Sequence, residues 1–149
     1  MRRRRLLALL PAALAALPLG TRAAAAKDDK PFARHRLALQ LSDRDPSKRA
    51  MILSVANKML QVYGPDGIAV EVVAFGPGID LLRAESPERE GVDSLISQGV
   101  VFDVCMNTVD TLERETGKPV ALNRRAKPVA AGAARLLDLA ERGYTIIRP

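Results

Sequence analysis

The sequence predicts a three-layer α/β domain built on a parallel sheet of about five strands. Three observations carry that expectation. Short β-rich runs and apolar segments of helical period follow one another in turn. Gly, Pro or a capping residue stands at nearly every junction between them. The 123 residues that follow the first 26 are the size of one ordinary domain, able to bury a core without disulfides or metals. Strands alternating with helices imply right-handed crossovers and a parallel sheet covered on both faces.

The elements follow in order. His35 to Leu41 alternates, with Leu37, Leu39 and Leu41 on one side and Arg36, Ala38 and Gln40 on the other, which predicts a first strand. Asp45 ahead of Pro46 pairs an N-cap with a proline at the first helical position. Ile52, Val55, Ala56, Met59 and Leu60 then recur on one helix face, and Gly64-Pro65 ends that helix. Ile68 to Phe75, rich in β-branched residues, predicts a second strand, which runs into a sharp Gly76-Pro77-Gly78 loop. Ile79 to Arg83 reads as a short helix. Another starts near Ser86-Pro87-Glu88, carries Val92, Leu95 and Ile96, and stops at Gly99.

Val100 to Cys105 predicts the third strand. Asn107-Thr108-Val109-Asp110 reads as a helix start with Thr108 or Asn107 as cap, and Gly117-Lys118-Pro119 breaks that helix. Val120 to Val129 is less regular, with room for a short strand. Ala133, Leu136, Leu137 and Ala140 mark a last helix closed by Gly143, and Tyr144 to Ile147 a final strand.

The start of the chain predicts export. Arg2 to Arg5 precede an apolar Leu/Ala stretch from Leu6 to Leu19, which is followed by Ala23-Ala24-Ala25-Ala26. A basic start, a short apolar centre and small residues at the end describe a signal peptide, residues 1–26. The stretch is shorter than a membrane span and is interrupted by Pro11 and Pro18. The expected product is periplasmic, exported by the general secretory or the twin-arginine route, with no stable membrane insertion after cleavage. Residues 27–34 read as a flexible lead-in and residues 35–149 as the working domain. Removing the five arginines of the signal leaves 18 basic against 17 acidic residues, a net charge of +1. The basic excess therefore belongs to targeting, and with few aromatics to stack bases nucleic-acid binding is discarded.

Chemistry is expected at the carboxyl ends of the strands, where open parallel sheets bind ligands. Ser42-Asp43, Gly76-Pro77-Gly78 and Cys105-Met106-Asn107-Thr108 all fall there. Cys105, the one cysteine, would lie just ahead of a helix N-terminus, whose free N–H groups and dipole favour thiolate over thiol. The competing reading is a small buried hydrophobe. The glycine loop matches neither phosphate-binding nor dinucleotide-binding patterns, and reads either as a tight turn or as a backbone wall beside Cys105. His35 reads as a surface residue at the wrong end of its strand to serve Cys105. One His and one Cys cannot make a zinc site, so no metal and no cofactor are expected. Glu88-Arg89-Glu90 reads as a solvated first turn.

On these residues the chain resembles the DsrE/DsrF-like family. The resemblance rests on Val70 to Gly78, on Gly99 to Thr108 with its Cys-x-Asn-Thr run, and on the ending Leu139 to Pro149, and it spans about His35 to Pro149. It implies a five-stranded parallel sheet and assembly as a trimer or hexamer. It also implies a persulfide-carrying role for Cys105 in sulfur relay, with Gly76 and Gly78 in the neighbouring loop. Asn107 and Thr108 would orient that loop and supply donors to the sulfur anion. A sulfur donor or acceptor protein is the implied partner. The relay members of the family are cytoplasmic, whereas this chain begins with an export signal. The alternatives are a non-catalytic oligomeric binding or accessory protein with a structural Cys105, and a redox sensor joining two chains through that thiol.

Overall fold

The computed structural model describes residues 30–149; the signal-peptide expectation for 1–26 lies outside these residues. Five strands form one sheet: β1 (His35–Leu41), β2 (Ile68–Ala74), β3 (Val101–Cys105), β4 (Lys127–Val129) and β5 (Thr145–Ile147). The order is β4-β3-β2-β1-β5, and every pairing is parallel. The helices are α1 (Pro46–Tyr63), α2 (Arg89–Ser97), α3 (Met106–Thr116) and α4 (Gly132–Glu141). Between β2 and α2 the Gly76–Leu82 segment winds as a 3₁₀ helix, so the expected loop and short helix are one continuous element. The α/β class, with a five-stranded parallel sheet between helical layers, is as the sequence predicts.

Local chemistry explains the elements that position the rest. Asp45 caps α1 by accepting from the Ser47 N–H at 2.8 Å, Pro46 takes the first position, and Gly64 closes the helix at φ +76°. The helix buries Ile52, Ala56 and Leu60, each large aliphatic stabilising the fold by about 1.5–3 kcal/mol relative to exposure. Gly78 has no room for a side chain: a Cβ there would stand 2.2 Å from the Leu41 carbonyl oxygen.

The two faces of the sheet are covered unequally. Leu37, Leu39, Val70, Val72, Phe102 and Val104 face the large core beneath α1, the 3₁₀ segment, α2 and α3. The opposite face carries Ala38, Ala69 and Val73, packed with Leu139 and Leu136 of α4 and with Ala33 and Tyr144. α4 alone covers this second face, carrying the chain from β4 at one edge to β5 at the other.

Two expectations are corrected. The face of α4 is rotated from the one expected: Gly132 and Leu139 are buried while Leu137 is 62% exposed. The described part of the lead-in is not loose. Ala33 is buried, and Lys30 Nζ donates to the carbonyls of Pro65 (2.6 Å) and Ile68 (3.3 Å), anchoring it beside the start of β2. Among the described residues no helix is long and apolar enough to cross a membrane.

Candidate functional site

Strand periodicity decides where Cys105 points. Phe102 and Val104 face the large core, so Asp103 and Cys105 alternate onto the α4 face. The strand passes into α3 without an intervening loop: Cys105 itself is the N-cap residue, and α3 begins at Met106. The expected cap at Thr108 or Asn107 is therefore corrected. The Thr108 side chain is used elsewhere, because its Oγ1 accepts from the Gly76 N–H at 2.9 Å, and it stands close enough to Cys105 to favour the thiolate.

Cys105 is only 4% exposed, but its surroundings are polar. Burial, the largest influence, pushes its pKa up; hydrogen bonds from the Thr108 side chain and from the Gly132, Thr108 and Asn107 N–H groups favour the thiolate. Together they outweigh burial and hold the thiol below its ordinary value. The donors come from two helices. Asn107 and Thr108 belong to the first turn of α3, and Gly132 is the first residue of α4. The sulfur thus sits beside two helix N-termini, each presenting the positive end of a dipole.

The remaining predicted site residues have distinct placements. Asn107 is exposed, and its N–H also reaches the Ala130 carbonyl at 3.1 Å, tying α3 to the segment after β4. Gly76 has φ +52°, a conformation suited to glycine, and presents its N–H to Thr108. Gly78 packs against the end of β1 instead. A cavity of about 320 Å³ lies between the Gly76–Asp80 segment and the start of α3, with Arg44, Asn107 and Thr108 in its wall. Thr108 touches this cavity on one side and the sulfur on the other. His35 is at the amino end of β1, stacked on Tyr63 with ring centroids 4.2 Å apart, remote from Cys105. Glu88, expected in a solvated turn, instead bonds Arg49 of α1 at 3.0 Å with both side chains largely covered. Among the described residues no group of three or more His, Cys, Asp or Glu side chains is placed to hold a metal.

Sequence reasoning missed a buried ionic cluster beside the cysteine. Arg135 of α4 bonds Glu71 of β2 through both Nε (2.7 Å) and Nη2, Asp103 of β3 through Nε (3.0 Å), and Asp138 through Nη1 (2.6 Å). Asp103 is fully buried, and its Oδ1 has no hydrogen-bond partner among the described residues. Burial, with Glu71 beside it, pushes the Asp103 pKa up to about 8 against the pull of Arg135. The available signal was the single acid inside each of two apolar runs, Val70-Glu71-Val72 and Phe102-Asp103-Val104.

No protein-family model and no curated protein matches the chain. Among solved structures, it is similar to a protein of unknown function, MTH1491 from Methanobacterium thermoautotrophicum. The two are 26% identical at a TM-score of 0.69, over 77% of this chain and 99% of the other.

Proposed function

We propose that this chain is a DsrE/DsrF-like protein that accepts and passes on sulfane sulfur at Cys105. The observation that carries the reading is the place of the thiol: Cys105 is the N-cap residue of α3 and lies beside the start of α4, and the hydroxyl and N–H groups around it hold its pKa below the ordinary value. An inert core cysteine has no use for such donors, whereas a sulfur nucleophile works as its thiolate.

The chemistry is redox-neutral. The Cys105 thiolate attacks the terminal sulfur of a donor persulfide, the donor's S–S bond breaks, and the donor leaves as a thiolate while Cys105 carries the persulfide. Transfer to an acceptor thiol is the reverse displacement, with Cys105 as the leaving thiolate. The donors that stabilise Cys105 as an anion serve it in both steps, as nucleophile and as leaving group. No cofactor enters. The sequence of residues 1–26 supports a periplasmic setting for this exchange, and the family resemblance supports a trimeric or hexameric assembly with donor and acceptor proteins as partners.

The 4% exposure of Cys105 favours a second reading, a structural cysteine in a non-catalytic oligomeric binding or accessory protein. Two parallel treatments of the native mature protein separate the two: alkylation across pH, and, on unalkylated protein, loading with polysulfide, both read by intact mass. The carrier reading expects modification that persists well below pH ~8.5, the ordinary cysteine value, a mass gain of one sulfur, and neither in Cys105→Ser. Absence of labelling until denaturant is added would sink it and leave the structural reading.

A further inference from the structure

Arg135 and Gly132 lie one turn apart on α4, and Asp103 and Cys105 lie two residues apart on the same face of β3. Helix and strand are therefore joined by two adjacent contacts. One is at the helix start: Cys105 pairs with Val129 of β4 and the Asn107 N–H reaches the Ala130 carbonyl at 3.1 Å, which brings Gly132, the first residue of α4, beside the thiol. The other is Arg135 Nε on Asp103 Oδ2 at 3.0 Å. Arg135 also reaches across to Glu71 on β2, so α4 is fixed to two strands at a point one turn past its N-terminus. Its side chain is only 11% exposed, and those of Glu71 and Asp103 are 5% and 0% exposed. A three-way buried contact of this kind has little freedom to slide. Close packing at the N-terminus holds the same register: a Cβ at Gly132 would meet Phe75 Cβ at 2.8 Å, so α4 sits as near the sheet as its backbone permits.

We infer that Arg135 is a positioning residue for Cys105: clamped on Glu71 and Asp103, it seats α4 so that the helix N-terminus at Gly132 stands against the thiol. This rests on the reading of Cys105 as an activated thiol. The charged groups facing Arg135 are Glu71 from β2, Asp103 from β3 and Asp138 from α4 itself. Lys127 of β4, Arg142 of α4 and Lys30 border the small cavity of about 30 Å³ beside it. The clamp is thus built from opposite charges on three elements.

The test measures Cys105 alkylation against pH in the folded full-length mature protein, with stability measured in parallel. Arg135→Lys keeps the charge but cannot span Glu71 and Asp103 with a planar fork. It is expected to slow alkylation about tenfold at acidic pH, equivalent to about 1.4 kcal/mol of thiolate stabilisation. Leu139→Ala, which loosens the same helix without touching the clamp, is expected to lower stability and leave the alkylation profile in place. Should Arg135→Lys not fold, the triple variant Glu71→Gln, Asp103→Asn and Arg135→Met removes clamp and buried charge together and carries the same expectation. Wild-type alkylation kinetics in either clamp variant would overturn the positioning role, as would an equal slowing in Leu139→Ala. Failure of the underlying reading looks different: the wild-type thiol would then titrate at or above the ordinary cysteine value.

Discussion

Thr108→Val isolates one donor to the sulfur while leaving shape almost unchanged. Its hydroxyl accepts from the Gly76 N–H at 2.9 Å and is among the groups that hold the Cys105 pKa down. A hydrogen bond to a charged group contributes about 1.5–3 kcal/mol, so its loss from the thiolate corresponds to roughly a tenfold or greater fall in thiolate fraction at acidic pH. The half-buried Gly76 N–H loses its acceptor as well, which costs about 1–2 kcal/mol of stability. The two effects separate by pH. Cys105 has a lowered pKa in the fold. It therefore contributes stability that is present above the unfolded value of about 8.5 and is lost as pH falls through the folded value. The stability gap between wild type and Thr108→Val should then widen as pH rises through that window, on top of a constant loss from Gly76. The assay pairs alkylation rates across pH with urea unfolding at several pH values. Alkylation as fast as wild type throughout, with a stability gap that does not change with pH, would show that Thr108 serves only Gly76 and would refute the thiolate account.

Two further outcomes test the surroundings. Asp103 has a pKa raised from 3.8 to about 8, so the folded protein binds an extra proton between those values and its stability declines as pH rises through them; Asp103→Asn should remove that decline in urea unfolding curves, and an unchanged slope would refute the assignment. Gly78→Ala forces a Cβ to within 2.2 Å of the Leu41 carbonyl oxygen and should lower stability by about 3 kcal/mol or more, seen as a depressed Tm, whereas a wild-type Tm would refute the close approach.

Much of the first half of the domain was legible because its signals are local. Alternating leucines in His35–Leu41, the Asp45-Pro46 cap and the apolar stripe from Ile52 to Leu60 each act within one element, and each element formed where expected. The start of α3 slipped because Asn107 and Thr108 are good capping residues in isolation. The fold spends the Thr108 hydroxyl on Gly76 and Cys105, leaving the strand to enter the helix directly. On α4, Ala133, Leu136, Leu137 and Ala140 form a plausible stripe, yet a long-range demand decides the face: Arg135 is drawn inward by carboxylates 64 and 32 positions away. The position of Cys105 at a strand end was readable from β3 alone. Its low exposure was not, because α4 belongs to a later part of the chain.

The single helix on the second face has a consequence for when the thiol becomes a nucleophile. Gly132 stands beside Cys105 because β4 pairs with β3 and α4 begins three residues past Val129, and the clamp forms as the helix crosses the sheet toward β5. Until that crossing is made, a partly folded chain holds a cysteine that lacks one of its two helix ends and the clamp beside it. Such a chain carries a thiol closer to an ordinary, mostly protonated one. On the proposed sulfur-carrier reading, the set of groups that favour the thiolate at Cys105 is therefore complete only once α4 is seated.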